Sequence, residues 1–193
     1  MTEVDFAFQR WILKSLSHHS KASASHLIKY VFDGRKSLLG NDGKPLIIKQ
    51  HLRSFDKQKW INQYKELESI RKSKHSRAVT MYHEVLSFSP QSSKHLTKPI
   101  LTNLIKKFID LRCSNQLVVS GVHFEKNIHA HILISGTNRE GRSARISKAR
   151  YAEIKNQLQA YQQEKYPELS DSIVMHGRKK KCLSAPILRV KNN

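Results

Sequence analysis

Residues 117–134 run Leu117-Val-Val-Ser-Gly-Val-His123-Phe-Glu-Lys-Asn-Ile-His129-Ala-His131-Ile-Leu-Ile134. Two apolar, β-rich runs flank a short polar link around Lys126 and Asn127, which predicts a pair of strands joined by a hairpin. Residues i and i+2 of a strand share a face. His129 and His131 then project side by side, while Ile128, Ala130, Ile132 and Ile134 fill the opposite face. His123 closes the first strand, and the turn folds it back beside the pair. Three imidazoles converging on one sheet face make a metal site, because neutral imidazole is the commonest nitrogen ligand. Three protein ligands leave positions open for substrate, which is the catalytic pattern.

Charge supplies the partner. Lys and Arg number 35 against 15 Asp and Glu, a net charge of +20, with a pI near 10.1. Self-repulsion of that size opposes compaction and answers a polyanion. Nucleic acid is the expected one, bound more weakly as salt rises; an anionic membrane surface is the alternative. The positive residues are spread along the chain, which predicts a basic face on a folded domain. Arg178-Lys-Lys-Lys181 is a dense run, either a phosphate clamp or a solvated segment.

The 193 residues suit one domain, expected over 1–193 with 1–22 as an N-terminal extension of unassigned role. No apolar run reaches the length of a membrane span, and the acidic start Met-Thr-Glu-Val-Asp is unlike a signal peptide. Cys113 and Cys182 lack zinc-type spacing and are expected as reduced thiols in a cytoplasmic protein. No Gly-rich phosphate loop is present, so ATP hydrolysis is not expected.

The pattern predicts a helix over 3–16, a polar link over 17–25 and a second helix over 24–32, ended by Asp33-Gly34. Gly40-Asn-Asp-Gly43 is a turn, and Pro45 to Lys49 a short strand. Trp60, Ile61, Tyr64, Leu67 and Ile70 mark an amphipathic helix over 55–71, with Ser54 as N-cap. A strand follows over 79–88, then a helix over 98–111, the histidine hairpin, a long helix over 147–165 and a short strand over 172–176. This order predicts an α+β fold, a central antiparallel sheet with helices packed on its faces.

The ordered motifs resemble those of the relaxases of plasmid and integrative-element mobilisation, within the wider class of His-hydrophobic-His single-strand nucleases. Three segments carry the resemblance, in the family's order: Leu27-Ile-Lys-Tyr30-Val, His83-Glu-Val-Leu-Ser87-Phe-Ser-Pro90, and His123-x-Glu125 followed by His129-x-His131. Tyr166-Pro-Glu-Leu169 and His176-Gly-Arg-Lys179 are similar to the tail of these domains. The third motif is the specific one. Glu125 departs from the pattern, where Asp is more usual, and the histidine spacing is short. The resemblance implies site- and strand-specific nicking of single-stranded DNA at a transfer origin. It implies a tyrosine nucleophile, a covalent 5′-phosphotyrosine, a released 3′-OH and rejoining after transfer, with accessory relaxosome proteins as further partners and no membrane.

The residues fit that chemistry by themselves. Phosphodiester transfer gathers negative charge on the equatorial oxygens, which a divalent cation counters. His123, His129 and His131 are the expected ligands, for manganese or magnesium first and zinc or nickel as alternatives. A tyrosine hydroxyl, with a pKa of about 10, needs such help to react. Tyr30 matches the family position and is the expected nucleophile; Tyr64 reads as core, Tyr151 and Tyr161 as helix packing. His83 is expected to touch phosphate or support a ligand, with Ser87 on the same strand face donating to phosphate. Glu125 is expected either to orient an imidazole by accepting its second N–H or to be a surface carboxylate. His26, His83 and Glu84 all remain open as general base. Lys29, Arg35, Lys36, Lys44, Lys49, Arg139, Arg142, Arg145, Arg178 and Lys179 are candidate phosphate contacts.

Other functions compete with this one. A rolling-circle replication initiator or transposase shares the histidine pair but places its tyrosine after the histidines. A metal-dependent hydrolase turns over without an enzyme–DNA bond. A non-enzymatic basic DNA-binding protein shows neither metal dependence nor adduct.

Overall fold

The computed structural model describes residues 12–33 and 36–169. The order is β1 (Ile12–His18), α1 (Ser23–Phe32), β2 (Ile47–Gln50), α2 (Lys57–Ser69), β3 (Met81–Ser87), α3 (Lys98–Arg112), β4 (Gln116–His123), β5 (His129–Asn138) and α4 (Lys148–Lys165). The strands form one sheet in the order β1-β3-β5-β4-β2, and every neighbouring pair is antiparallel. The expected α+β architecture is therefore the observed one. The strand expected over 172–176 lies outside the described residues.

Each face of the sheet has its own core. On one, Ala130, Ile132 and Ile134 of β5 pack with Leu101, Leu104, Ile105 and Phe108 of α3 and with Ile154 and Leu158 of α4. On the other, Leu133 and Val119 meet Leu27, Ile28 and Val31 of α1 and Trp60, Ile61 and Tyr64 of α2. Each leucine, isoleucine, valine or phenylalanine among them, fully buried, contributes about 1.5–3 kcal/mol. The buried Tyr64 hydroxyl donates to the Leu133 carbonyl at 2.9 Å, so its polar end is satisfied inside the core.

The helix starts follow capping chemistry. Thr97 caps α3, with Pro99 in the first turn, and Ser147 caps α4 by accepting from the Arg150 amide. At α2 the expected Ser54 cap is corrected to Asp56, whose carboxylate accepts from the Lys59 amide at 2.7 Å. Ser54 has a positive φ of 64° and its hydroxyl instead holds the Asp56 amide, turning the chain before the helix begins.

The first expected helix is also corrected, as far as it is described. Residues 12–16 belong to β1, an edge strand paired with β3, inside the stretch read as an N-terminal extension. Leu13 sits opposite Leu86 and is buried. Pairing β3, which is buried over most of its length, outweighs the weak helical pattern, because its backbone groups need partners.

Below the sheet, Glu84 of β3 is wholly buried in a polar network. Its carboxylate accepts from Ser15 of β1 at 3.0 Å and from the Tyr151 hydroxyl of α4 at 2.7 Å, and lies 3.6 Å from the Arg112 guanidinium of α3. Burial pushes the Glu84 carboxyl up, while Tyr151, Arg112 and Ser15 pull it back. The same burial, reinforced by Glu84, raises the Tyr151 phenol. One charged group thus ties together four elements.

Candidate active site

His123, His129 and His131 come together at one end of the α1 face. Their ligand atoms all lie within 4.8 Å of one another. The register explains it: His123 pairs directly with His129, and Gly121 pairs with His131. His123 and His131 are buried, and His129 is half-buried. The ring centroids are 5.2 Å apart for His123–His129, 4.6 Å for His123–His131 and 4.9 Å for His129–His131.

A metal ligand needs its second ring nitrogen held, so that the tautomer and ring orientation are set. His123 Nε2 is 3.0 Å from the Val31 carbonyl, and His129 Nδ1 is 2.8 Å from the Asn127 carbonyl. A carbonyl only accepts, so those nitrogens carry the protons. The lone pairs are then on Nδ1 of His123 and Nε2 of His129. His131 Nδ1 lies 2.7 Å from Nε2 of His83. Burial, with His18 and Lys14 nearby, pushes the His83 imidazole down to about 4, so near neutral pH it is uncharged and able to accept. The donor set therefore fits a divalent cation held by three neutral imidazoles, each backed by an acceptor.

Tyr30 stands over this cluster. It lies near the C-terminal end of α1, and its ring centroid is 5.7 Å from that of His131 and 6.2 Å from that of His83. It is 48% exposed, so its ring is open to solvent. Gly121 permits this approach: a Cβ there would meet Phe32 Cε1 at 2.7 Å and Val31 Cγ1 at 3.2 Å. The bare backbone lets α1 sit down on the sheet beside the histidines.

The other tyrosines are occupied elsewhere. Tyr64 is buried under α2, Tyr151 serves Glu84, Tyr82 lies beneath the Arg112 guanidinium, and Tyr161 packs edge-on against Tyr166. Glu84 points into the opposite core, away from the histidines, which removes it as a general base. The carboxylate expected behind an imidazole is likewise replaced. Glu125 is exposed in the hairpin turn, and the Val31 and Asn127 carbonyls take the imidazole N–H groups.

Ser87 lies opposite His129 in the register, at the triad end of the sheet. Lys29 is exposed next to Tyr30. Arg139 and Arg142 follow the other end of β5, roughly 30 Å along the strand from His129. Lys49 caps the Ser54 carbonyl and covers the Phe55 ring, and the Lys44 carbonyl holds Lys98. Lys44 and Arg145 are exposed. Arg35, the Lys36 side chain, Arg178 and Lys179 lie outside the described residues. Lys14 and His18 went unrecognised because β1 did. They share the alternate positions of β1 that face the same side as His83, and His18 is 6.1 Å from the His83 ring.

Comparison with known proteins bears on the family and the fold. The family model "Relaxase: MobA/VirD2-like, nuclease domain" matches residues 35–166. Among solved structures, the fold is similar to that of the MobM relaxase domain (MOBV; Mob_Pre), crystallised with manganese and bound to plasmid pMV158 oriT DNA. The identity is 14%, covering 92% of this chain and 94% of that one, with a TM-score of 0.53. No curated protein matches.

Proposed function

The chain belongs to the MobA/VirD2-like relaxases through their nuclease domain, and from that premise we propose that Tyr30 nicks and rejoins single-stranded DNA at a transfer origin. The observation that carries this reading is the position of Tyr30, with its ring 5.7 Å from His131 and 6.2 Å from His83, over a three-histidine cluster. The MobM structure, bound to oriT DNA and manganese, supports the same substrate class and a divalent cation here.

His123, His129 and His131 would hold the cation. When bound, it withdraws charge from the non-bridging oxygens of the scissile phosphate. The Tyr30 oxygen attacks phosphorus, and the bond to the 3′ oxygen breaks. The phenolic proton is balanced by the proton gained on the departing 3′-OH. The 5′ end remains on Tyr30 as a phosphodiester. Its bond energy is kept, so the reverse attack by a 3′-OH reseals a strand without a nucleotide cofactor.

His83 holds His131 in orientation and therefore acts as a positioning residue. Lys14 and Lys29 offer charge to the backbone beside Tyr30, and Ser87 offers a hydroxyl near His129. Tyr30 precedes the histidines in the chain, which separates this reading from the replication-initiator alternative. Residues 12–169 are read as one nuclease unit, with β1 as part of it. Among the described residues no helix is long and apolar enough to cross a membrane.

Incubation with labelled single-stranded origin DNA and manganese or magnesium tests the proposal on a denaturing gel. A protein–DNA adduct that chelator abolishes and Tyr30→Phe lacks is the expected result. Free cleaved fragments without adduct would replace it by a hydrolase, and binding with neither product by a non-enzymatic DNA-binding protein.

A further inference from the structure

A second feature of the α1 face lies at the other end of that helix. A cleft of about 790 Å³ opens between the start of α1, the last turns of α2 and the loop before β3. Its floor is apolar, made by Ala24, Tyr64, Ala78 and Met81. Its rim is basic: Lys21, Lys65 and Lys74 line it, and no carboxylate pairs with any of them among the described residues. The one acid in the lining, Glu68, is already neutralised. Arg71 donates to both its oxygens at 2.6 and 2.9 Å, and Thr137 donates at 2.7 Å. The imidazoles of His19 and His75 stand at the edge.

The loop has its own signature, Arg71-Lys-Ser-Lys-His-Ser-Arg77, with no acidic residue. Its Lys72 amide donates to the Gly141 carbonyl at 2.9 Å. That bond docks the turn after β5 against the loop, at the end of the sheet away from the histidine site.

An apolar floor under an unpaired cationic rim fits a flat, weakly polar ring carried on an anionic backbone. Imidazole faces at the edge stack on such rings. Ala24 and Tyr30 are six residues apart on α1, about 9 Å along its axis. A strand whose phosphate meets Tyr30 and that runs back along α1 reaches the cleft within a few nucleotides.

We propose that the cleft receives one unstacked nucleobase of the single strand beside the cleaved phosphate, with the flanking phosphates on Lys21, Lys65 and Lys74. The proposal rests on the relaxase reading and deepens it by adding a site that selects for bases, separate from the site of cleavage.

The test compares two probes on the full chain, a labelled oligothymidylate and a strand of equal length carrying a run of abasic sites. Wild type is expected to prefer the base-bearing strand by about tenfold. Ser76→Trp and Ser69→Trp, both at exposed positions, plug the cleft from its edge. They should erase that preference and leave abasic-strand binding unchanged. Lys65→Glu with Lys74→Glu should weaken both strands and reduce the salt slope by about 1.4. Equal affinity of wild type for the two strands overturns the cleft, as does wild-type behaviour of all three variants. If the metal-dependent adduct still forms in those cases, the relaxase reading stands without the cleft. If wild type binds no single strand and forms no adduct, both fall.

Discussion

His83 Nε2 lies 2.7 Å from His131 Nδ1, so a residue of β3 sets the ring of a candidate ligand on β5. The two are diagonal across the β3–β5 pair, since His83 is opposite Leu133 and His131 opposite Val85. Removing the acceptor frees the His131 ring and leaves its N–H unsatisfied. His83→Ala should therefore weaken manganese or zinc binding by about 10- to 100-fold, the usual loss when a ligand's supporting partner is removed. Calorimetric titration measures it. Unchanged affinity would end the positioning role.

The same imidazole gives metal-free protein a pH dependence. His83 is held at about 4 in the fold, below its ordinary 6.5. Between those values the unfolded chain takes up a proton that the native site refuses. Stability is full above pH 6.5, falls as pH drops through that value, and stops falling near pH 4. The loss is at most about 3 kcal/mol. Urea midpoints in chelator across this range should show the slope in wild type and a shallower one in His83→Gln.

Gly121 is the seat of α1. A methyl group there would press on Phe32 and Val31, both in the last turn of the helix that carries Tyr30. Gly121→Ala should cost about 1–3 kcal/mol of stability through overpacking. The lifted helix should slow adduct formation beyond what that loss explains, because the nucleophile shifts relative to the histidines. A denaturant melt and a single-turnover adduct assay separate the two effects. An adduct rate that stays at the wild-type level would show that the seat does not position Tyr30.

Much of this was legible in the sequence, and the misses share a cause. The alternation around His129 and His131 announced a buried strand, and the apolar spacing of α2 and α3 announced helices. β1 was missed because its identity comes from β3 rather than from its own seven residues, and with it went Lys14 and His18. The supports of His123 and His129 are main-chain carbonyls, which no residue type encodes. His83 was legible as a polar residue on a strand, but its bond to His131 depends on the register between two strands distant in the chain. The basic loop over 71–77 did not stand out in the sequence, and only the fold places it over an apolar cleft.

The Glu84 network predicts a different response on the opposite face. Glu84→Ala strands Arg112 in a core where both side chains are almost fully covered. The cost should be about 3–5 kcal/mol, because a buried charge is left unpaired. Replacing the pair together, Glu84→Leu with Arg112→Met, should recover much of it. Melting temperatures read both, and metal affinity, set on the other face, should be unmoved in any variant that stays folded. A double variant less stable than Glu84→Ala alone would show that the pair is needed as charges.

Glu125 separates the sequence-based expectation from the observed site. Its carboxylate is exposed in the hairpin turn, while His123 and His129 give their second nitrogens to the Val31 and Asn127 carbonyls. If those carbonyls are the supports, Glu125→Gln should leave metal affinity at the wild-type value, in contrast to the loss in His83→Ala. If the carboxylate orients an imidazole instead, the two variants should lose affinity alike. Titrating both proteins with the same metal at one pH and salt decides between a backbone support and a side-chain support.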